Sequence, residues 1–482
     1  MALLEAPPRG HFLNSVLSRK SFWIGFAGPF FIRIWNGAAI YHPKYFPVIP
    51  VEYDVGNLLT SPPWSYIDWP MRDAKIFFIA IGVTYFLSTP VAFSLWSFMV
   101  MAEVYRMIAG SAGGDPDLPG AVDQHFGSIV AFALVVLWIG RGHWKLILRQ
   151  AFGGGRRGRA GAGEPRGRYL PYPLAFWALV GCTLAMIAWL IAAGCTVLGA
   201  AVMVLVLELL FFVVTRVVAE TGLVHIELSV PLYKPWQLLS QAGWHDPVPV
   251  KTFYFNALLE GVHFSFREAM PVYASHAVKL ADETLFSGDS LAADGARQRS
   301  TGRKFILLLA AALAVGYAVS WASTLWTEYR YSSTKDVTAV TPINRWGADY
   351  EPKMLILDPT MEYKSGIYSA QDGPLKNWVF GFGLTALLGF LRLRYAWWPL
   401  HPIGYLMLFT FPTAMFWFSI FIGWVLKVLI VRFGGPTMYV RSKPFFLGVI
   451  VGESAAAGFW LIAGILLSSA GAAYHGINFM PG

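Results

Sequence analysis

Cysteine is nearly missing from this chain: Cys182 and Cys195 are the only two, and both sit inside apolar runs. There is no CxxC, no CxxCH and no Cys/His ligand spacing. Structural zinc, iron–sulfur clusters and c-type haem therefore lack ligands, and no cofactor or metal is expected. Charge is scarce as well. Asp, Glu, Lys and Arg make up 13% of the residues, about half the share of a soluble domain. Catalytic signatures are also lacking. No Walker A loop, G-x-S-x-G, HExxH or strand-to-helix GxGxxG occurs. ATP-driven pumping by this chain alone has no machinery, and the chain is not read as an enzyme. Residues 1–21 carry Glu5, Pro7, Pro8, Arg19 and Lys20 without an apolar run, so no cleavable signal peptide is expected.

What the sequence does contain is apolar surface. Hydrophobic residues reach 56% of the chain, with 36 Phe, 21 Tyr and 20 Trp. A soluble globule has too little interior to hide that much. The expectation is an all-α, polytopic transmembrane helical bundle with membrane lipids as partners. The net charge of +9 fits basic cytoplasmic loops beside anionic lipid rather than nucleic acid.

A bilayer core needs about 20 helical residues per crossing. Seven full crossings read out, near 22–40, 121–139, 172–193, 195–218, 304–325, 377–391 and 445–467. Two apolar stretches, 76–108 and 396–431, are too long for one span and short for two. Each carries a proline near its middle, Pro90 and Pro412, which interrupts the helical ladder. Both are read as broken or re-entrant hairpins, with ordinary kinked helices as the plainer alternative. Residues 141–168 hold Arg141, Lys145, Arg149, Arg156, Arg157, Arg159, Arg166 and Arg168 against Glu164 alone. That loop is placed in the cytoplasm, and its glycine- and arginine-rich core reads as a linker. Counting crossings from it puts the N-terminus and 223–303 inside, and 41–75, 326–376 and the C-terminus outside.

Shifted by 322 positions, Ile81-Gly82 falls on Ile403-Gly404, Pro90 on Pro412, Ala92 on Ala414, Ser97 on Ser419 and Ile108 on Ile430. Each interrupted stretch lies between two crossings, and the loop charges orient them oppositely. That is the layout of inverted-repeat transporters. The chain then divides into a first repeat (1–140), central helices with their loops (141–376) and a second repeat (377–482).

Ionisable groups within apolar spans are costly and mark candidate sites. Glu208, Arg216 and Glu220 recur at multiples of four along one helical stripe, and Thr221-Gly222 offers a break after them. They are either a charged cavity wall, with Glu208 taking protons, or ion pairs tying helices together. Glu453 sits beside Gly448-x-x-x-Gly452, a spacing that lets helices approach closely. It reads as a second proton site or as an interhelical hydrogen-bond group. Arg33 and Asn36 fall inside the first crossing, where Arg33 either binds a substrate carboxylate or snorkels to the surface. Glu103 lies near Arg106 and reads as a site or as an interface marker. His125 and His401 read as interfacial histidines or as groups that titrate near neutral pH. His225, His245, His263 and His276 in the long cytoplasmic segment match no known metal or acid/base spacing.

The segments YAWWPLHPIGYL (395–406), WFSIFIGWVLKVLIVRFGG (417–435), RSKPFFLGVIVGE (441–453), RVVAETG (216–222) and REAMPVYASHAVKLADE (267–283) resemble an uncharacterised family of large bacterial membrane proteins. That family is distantly similar to oligopeptide transporters, the OPT superfamily. The resemblance implies a multi-pass protein of the bacterial inner membrane with proton-coupled uptake of peptides or metal chelates. It also implies more helices than this chain carries before its first crossing, so a separate polypeptide supplying them, or a larger membrane complex, is an expected partner. The working expectation is a secondary transporter or half-transporter of unspecified substrate. The rival is a non-transporting membrane scaffold subunit.

Overall fold

The computed structural model describes residues 14–153, 169–223, 269–285, 295–327 and 374–471, with isolated positions between 225 and 259, at 329–330 and between 475 and 479. The core of the arginine-rich linker, most of 223–268 including His245 and His263, and nearly all of the loop 326–376 lie outside the described residues.

The protein is an all-α membrane protein. Among the described residues its helices of six residues or more are α1 (Lys20–Tyr41), α2 (Phe78–Phe86), α3 (Thr89–Ser111), α4 (Ala121–Ile139), α5 (Arg141–Phe152), α6 (Tyr172–Ala192), α7 (Val197–Thr221), α8 (Met270–Leu285), α9 (Gly295–Thr327), α10 (Pro374–Arg394), α11 (Pro402–Met407) and α12 (Phe411–Ser469). Between α1 and α2, strands β1 (Glu52–Asp54) and β2 (Asp73–Lys75) pair antiparallel, with Glu52 opposite Lys75. Among the described residues, six helices are long and apolar enough to cross a membrane: α3, α4, α6, α7, α9 and α12.

Both interrupted stretches are broken. The gap Leu87–Ser88 separates α2 from α3, and Leu408–Thr410 separates α11 from α12. The prolines stand slightly after the gaps, in the first turn of the following helix. There the missing N–H is one that no helical carbonyl would have received. Pro90 and Pro412 therefore start helices; the extended backbone just before each makes the break. Two further corrections arise. Residues 432–444, expected to connect two helices, are helical. Only Gly435, at φ 66°, interrupts the 59 residues of α12, and Pro436 begins the turn after it. The basic segment 141–168, expected to be a loop, begins with a helix, α5.

The chain forms two compact units. The first contains Met1–Ser128, Glu220–Glu227 and Gly383–Gly482; the second contains Ile129–Ala219 and Leu228–Phe382. Both expected repeats contribute most of the first unit. In it α12 packs along α1, α2 and α3, while α11 packs on α3. Glycine makes the α1–α12 contact possible. A Cβ on Gly448 or Gly452 would run into the carbonyls of Phe22 or Phe26, and one on Gly25 into Phe445. The Gly448-x-x-x-Gly452 spacing thus does what the sequence suggested. Tyr85 of α2 is fully buried and stacks on Phe446 with ring centroids 3.8 Å apart. In the second unit Leu190, Cys195, Ala200, Met203 and Val204 make a small core with Phe255 and Leu259.

Candidate functional site

Helices α2 and α11 have nine and six residues. Neither can cross a bilayer, and both must satisfy terminal backbone groups away from water. The first unit solves this twice in nearly the same way.

At the start of α2 the N-cap residue is Phe77. Its N–H donates to Ser419 Oγ of α12 (2.8 Å), and the same hydroxyl donates to Lys75 O (2.9 Å). At the start of α11 the N-cap residue is His401. Its N–H donates to Ser94 Oγ of α3 (2.6 Å), with Pro399 O at 3.4 Å and Pro90 O at 2.6 Å from that hydroxyl. Each short helix is therefore held by a serine from the long arm of the other hairpin. In both cases the serine faces the N-cap N–H and the carbonyl two residues earlier.

The next exposed donor is also met twice. Ile79 N–H donates to Glu453 Oε2 (2.6 Å). Ile403 N–H donates to His401 Nδ1 (3.1 Å). Each is the second residue of its helix. A carboxylate at a helix N-terminus also matches the helix dipole.

Glu453 is 3% exposed and is anchored by Arg33, whose Nε and Nη2 lie 2.6 and 2.5 Å from Oε1. Arg33 donates further to Ile76 O (3.2 Å) and lies between the rings of Phe78 and Phe479. Two residues read separately in the sequence thus form one buried charge pair that fixes α1, α12 and α2 together.

Lys427 completes the arrangement. It is buried on α12, and its Nζ donates to Leu87 O, at the C-terminal end of α2. The ring of Tyr439 lies 5.4 Å from that ammonium. Sequence reading missed Lys427, although a lone base inside WFSIFIGWVLKVLIV was the signal.

The start of α11 carries a titratable pair. His401 Nε2 lies 3.2 Å from Glu220 Oε1. Since Nδ1 accepts from Ile403, the neutral ring carries its proton on Nε2 and donates to Glu220. His401 is 3% exposed, buried where it caps α11. His125 is buried likewise, against Phe409.

The other candidates fall elsewhere. Helix α7 ends at Thr221, and Gly222 at φ 59° turns the chain. Arg216 is exposed on α7. Glu208 belongs to the second unit, where Thr183 of α6 donates to its Oε1 (2.5 Å). Asn36 exchanges two hydrogen bonds, each 2.9 Å, with the backbone of Ile49. It tethers the connection after α1, which is a structural task. Glu103 accepts from Asp68 N–H (2.8 Å), beside Arg106, which reaches Asp68 and Asp117. This cluster staples the 41–77 connection to α3. Among the described residues, no three His, Cys, Asp or Glu side chains group as metal ligands.

A family model matches residues 1–475 of the chain. The protein belongs to DUF6785, a family of unknown function. No curated protein and no solved structure matches it. For this member of DUF6785, the paired half-helices and the groups that cap them are the candidate functional site.

Proposed function

We propose that this DUF6785 protein is a secondary transporter or half-transporter of the inner membrane, OPT-like in layout, driven by protons and taking up a peptide-like or metal-chelate solute. The observation that carries the reading is the reciprocal serine clamp. Ser419 holds the start of α2, and Ser94 holds the start of α11. Discontinuous helices exchanged between two halves are a costly way to build a passive bundle, and they are how inverted-repeat carriers build solute sites. The loop charges support opposite orientations for the two hairpins, with the N-terminus cytoplasmic and the C-terminus periplasmic.

Proton coupling has two candidates. Glu208 is the first on sequence grounds, as an acid within an apolar span. The His401–Glu220 pair is the one that geometry adds. Protonating His401 on Nδ1 would remove the acceptor of Ile403 N–H, so proton uptake is tied to the end of a half-helix.

The test is uptake into proteoliposomes under an imposed pH gradient, with mixed oligopeptides and metal chelates offered together and the lumen analysed by mass spectrometry. Gradient-dependent accumulation is expected, with loss in Glu208→Gln or His401→Gln. Accumulation no greater than in protein-free vesicles overturns the reading. A scaffold role is the second reading, favoured by one feature: no residue in the apolar stretch of α9 is buried, and almost none in that of α6. Stoichiometric polypeptides retained in mild detergent, without solute-dependent stabilisation, would support it.

A further inference from the structure

Helix α5 begins two residues after the span α4 ends, across Gly140, and none of its residues is buried. Its sequence, RGHWKLILRQAF, contains no acid. Arg141, Lys145 and Arg149 recur every four residues and form one stripe. Trp144, Leu148 and Phe152 recur at the same spacing three positions later, so their stripe runs directly beside the basic one. All six side chains are exposed.

The helix is not a loose extension. Phe152 meets Phe176 and Trp177 of α6 with centroids 5.4 Å apart, and His143 meets Tyr172 at 5.4 Å. The guanidinium of Arg141 lies 4.6 Å from the ring of Trp138, the penultimate residue of α4. One end of α5 is thus fastened to the finish of one span and the other to the start of the next. Both attachments lie at the ends of apolar helices long enough to span.

We propose that α5 lies along the membrane surface and binds the phosphate groups of anionic phospholipids. The apolar stripe sinks toward the acyl chains, and Arg141, Lys145 and Arg149 meet the phosphates beside it. Charge complementarity and continuity with two spans select this occupant. An acidic protein partner would leave Trp144, Leu148 and Phe152 without an apolar counterpart in the headgroup layer.

The test uses the full-length protein in detergent, with phosphatidylglycerol, phosphatidylcholine or inorganic phosphate added and the melting temperature recorded. Phosphatidylglycerol is expected to raise it, and the other two are not. The variant R141Q/K145Q/R149Q should melt normally in phosphatidylcholine and bind phosphatidylglycerol about tenfold more weakly, or worse. The charge-retaining variant R141K/K145R/R149K should respond as the natural protein does. Equal stabilisation of the glutamine variant, or equal stabilisation by inorganic phosphate, overturns the proposal. Native mass spectrometry gives a reading on the unaltered protein: lipid retained independently of ionic strength also overturns it.

Discussion

Glu453 and Lys427 stand on the same helix, α12, and bracket a single short one. The carboxylate of Glu453 accepts from the N-terminal turn of α2, and the ammonium of Lys427 donates to Leu87 O at its other end. Negative charge at the N-terminus and positive charge at the C-terminus both favour the helix dipole. Nine residues are too few to form a stable helix unaided, so α2 owes its existence to α12.

Removing the carboxylate alone should be severe. Glu453→Gln leaves Arg33 buried without a counter-charge, and breaking such a pair costs about 3–5 kcal/mol. Arg33→Gln should cost a similar amount, and the double variant less than the sum. Thermal unfolding of the four proteins in detergent checks this. Additive losses would show that the two groups do not act on one another.

Lys427→Met keeps much of the side-chain volume and removes the donor to Leu87 O. A loss of about 1–3 kcal/mol is expected, with faster amide exchange concentrated at residues 84–90. Hydrogen exchange with peptide-level readout decides. Unchanged exchange there would mean that the break is held by other groups.

The two serines should behave alike. Ser94→Ala and Ser419→Ala each strand one N-cap N–H, so each should cost about 1–3 kcal/mol and lower uptake where uptake is observed. A large effect at one serine and none at the other would argue against equivalent hairpins.

Gly448→Ala should separate α1 from α12, because the added methyl meets the Phe22 carbonyl, and overpacking of this kind costs about 1–3 kcal/mol. Gly458→Ala, further along the same helix, meets nothing within 4 Å and should be stabilising by about 0.5–1 kcal/mol. Melting temperatures of the two variants should move in opposite directions.

Lys75 gives a pH dependence outside the spans. Burial disfavours its charge, but Glu52 and Asp73 beside it prevail, and its pKa stands above the ordinary 10.5. A raised pKa means that the folded state holds the proton more tightly. The resulting stability is complete below pH 10.5 and disappears as pH climbs through the folded value. Lys75→Met should flatten that alkaline loss of stability, as measured by melting between neutral pH and pH 11.

Much of the architecture was legible from composition and local pattern. The apolar content demanded a membrane, and runs of about 20 residues marked spans. Pro90 and Pro412 marked the neighbourhood of both breaks, because a proline acts on its own turn wherever it is placed. The glycines at 448 and 452 marked a close helix contact for the same local reason.

Partnership was not legible. Arg33 and Glu453 are 420 residues apart, Ser94 and His401 are 307 apart, and Lys427 lies 340 residues from Leu87. Periodicity carries information over a few turns of helix and none over such distances, so an acid in a span announces itself without naming its base. The sequence by itself made this a helical membrane protein with two interrupted stretches. Only tertiary packing decided that each short helix would be capped by the opposite hairpin, because those backbone groups find partners only when distant helices meet.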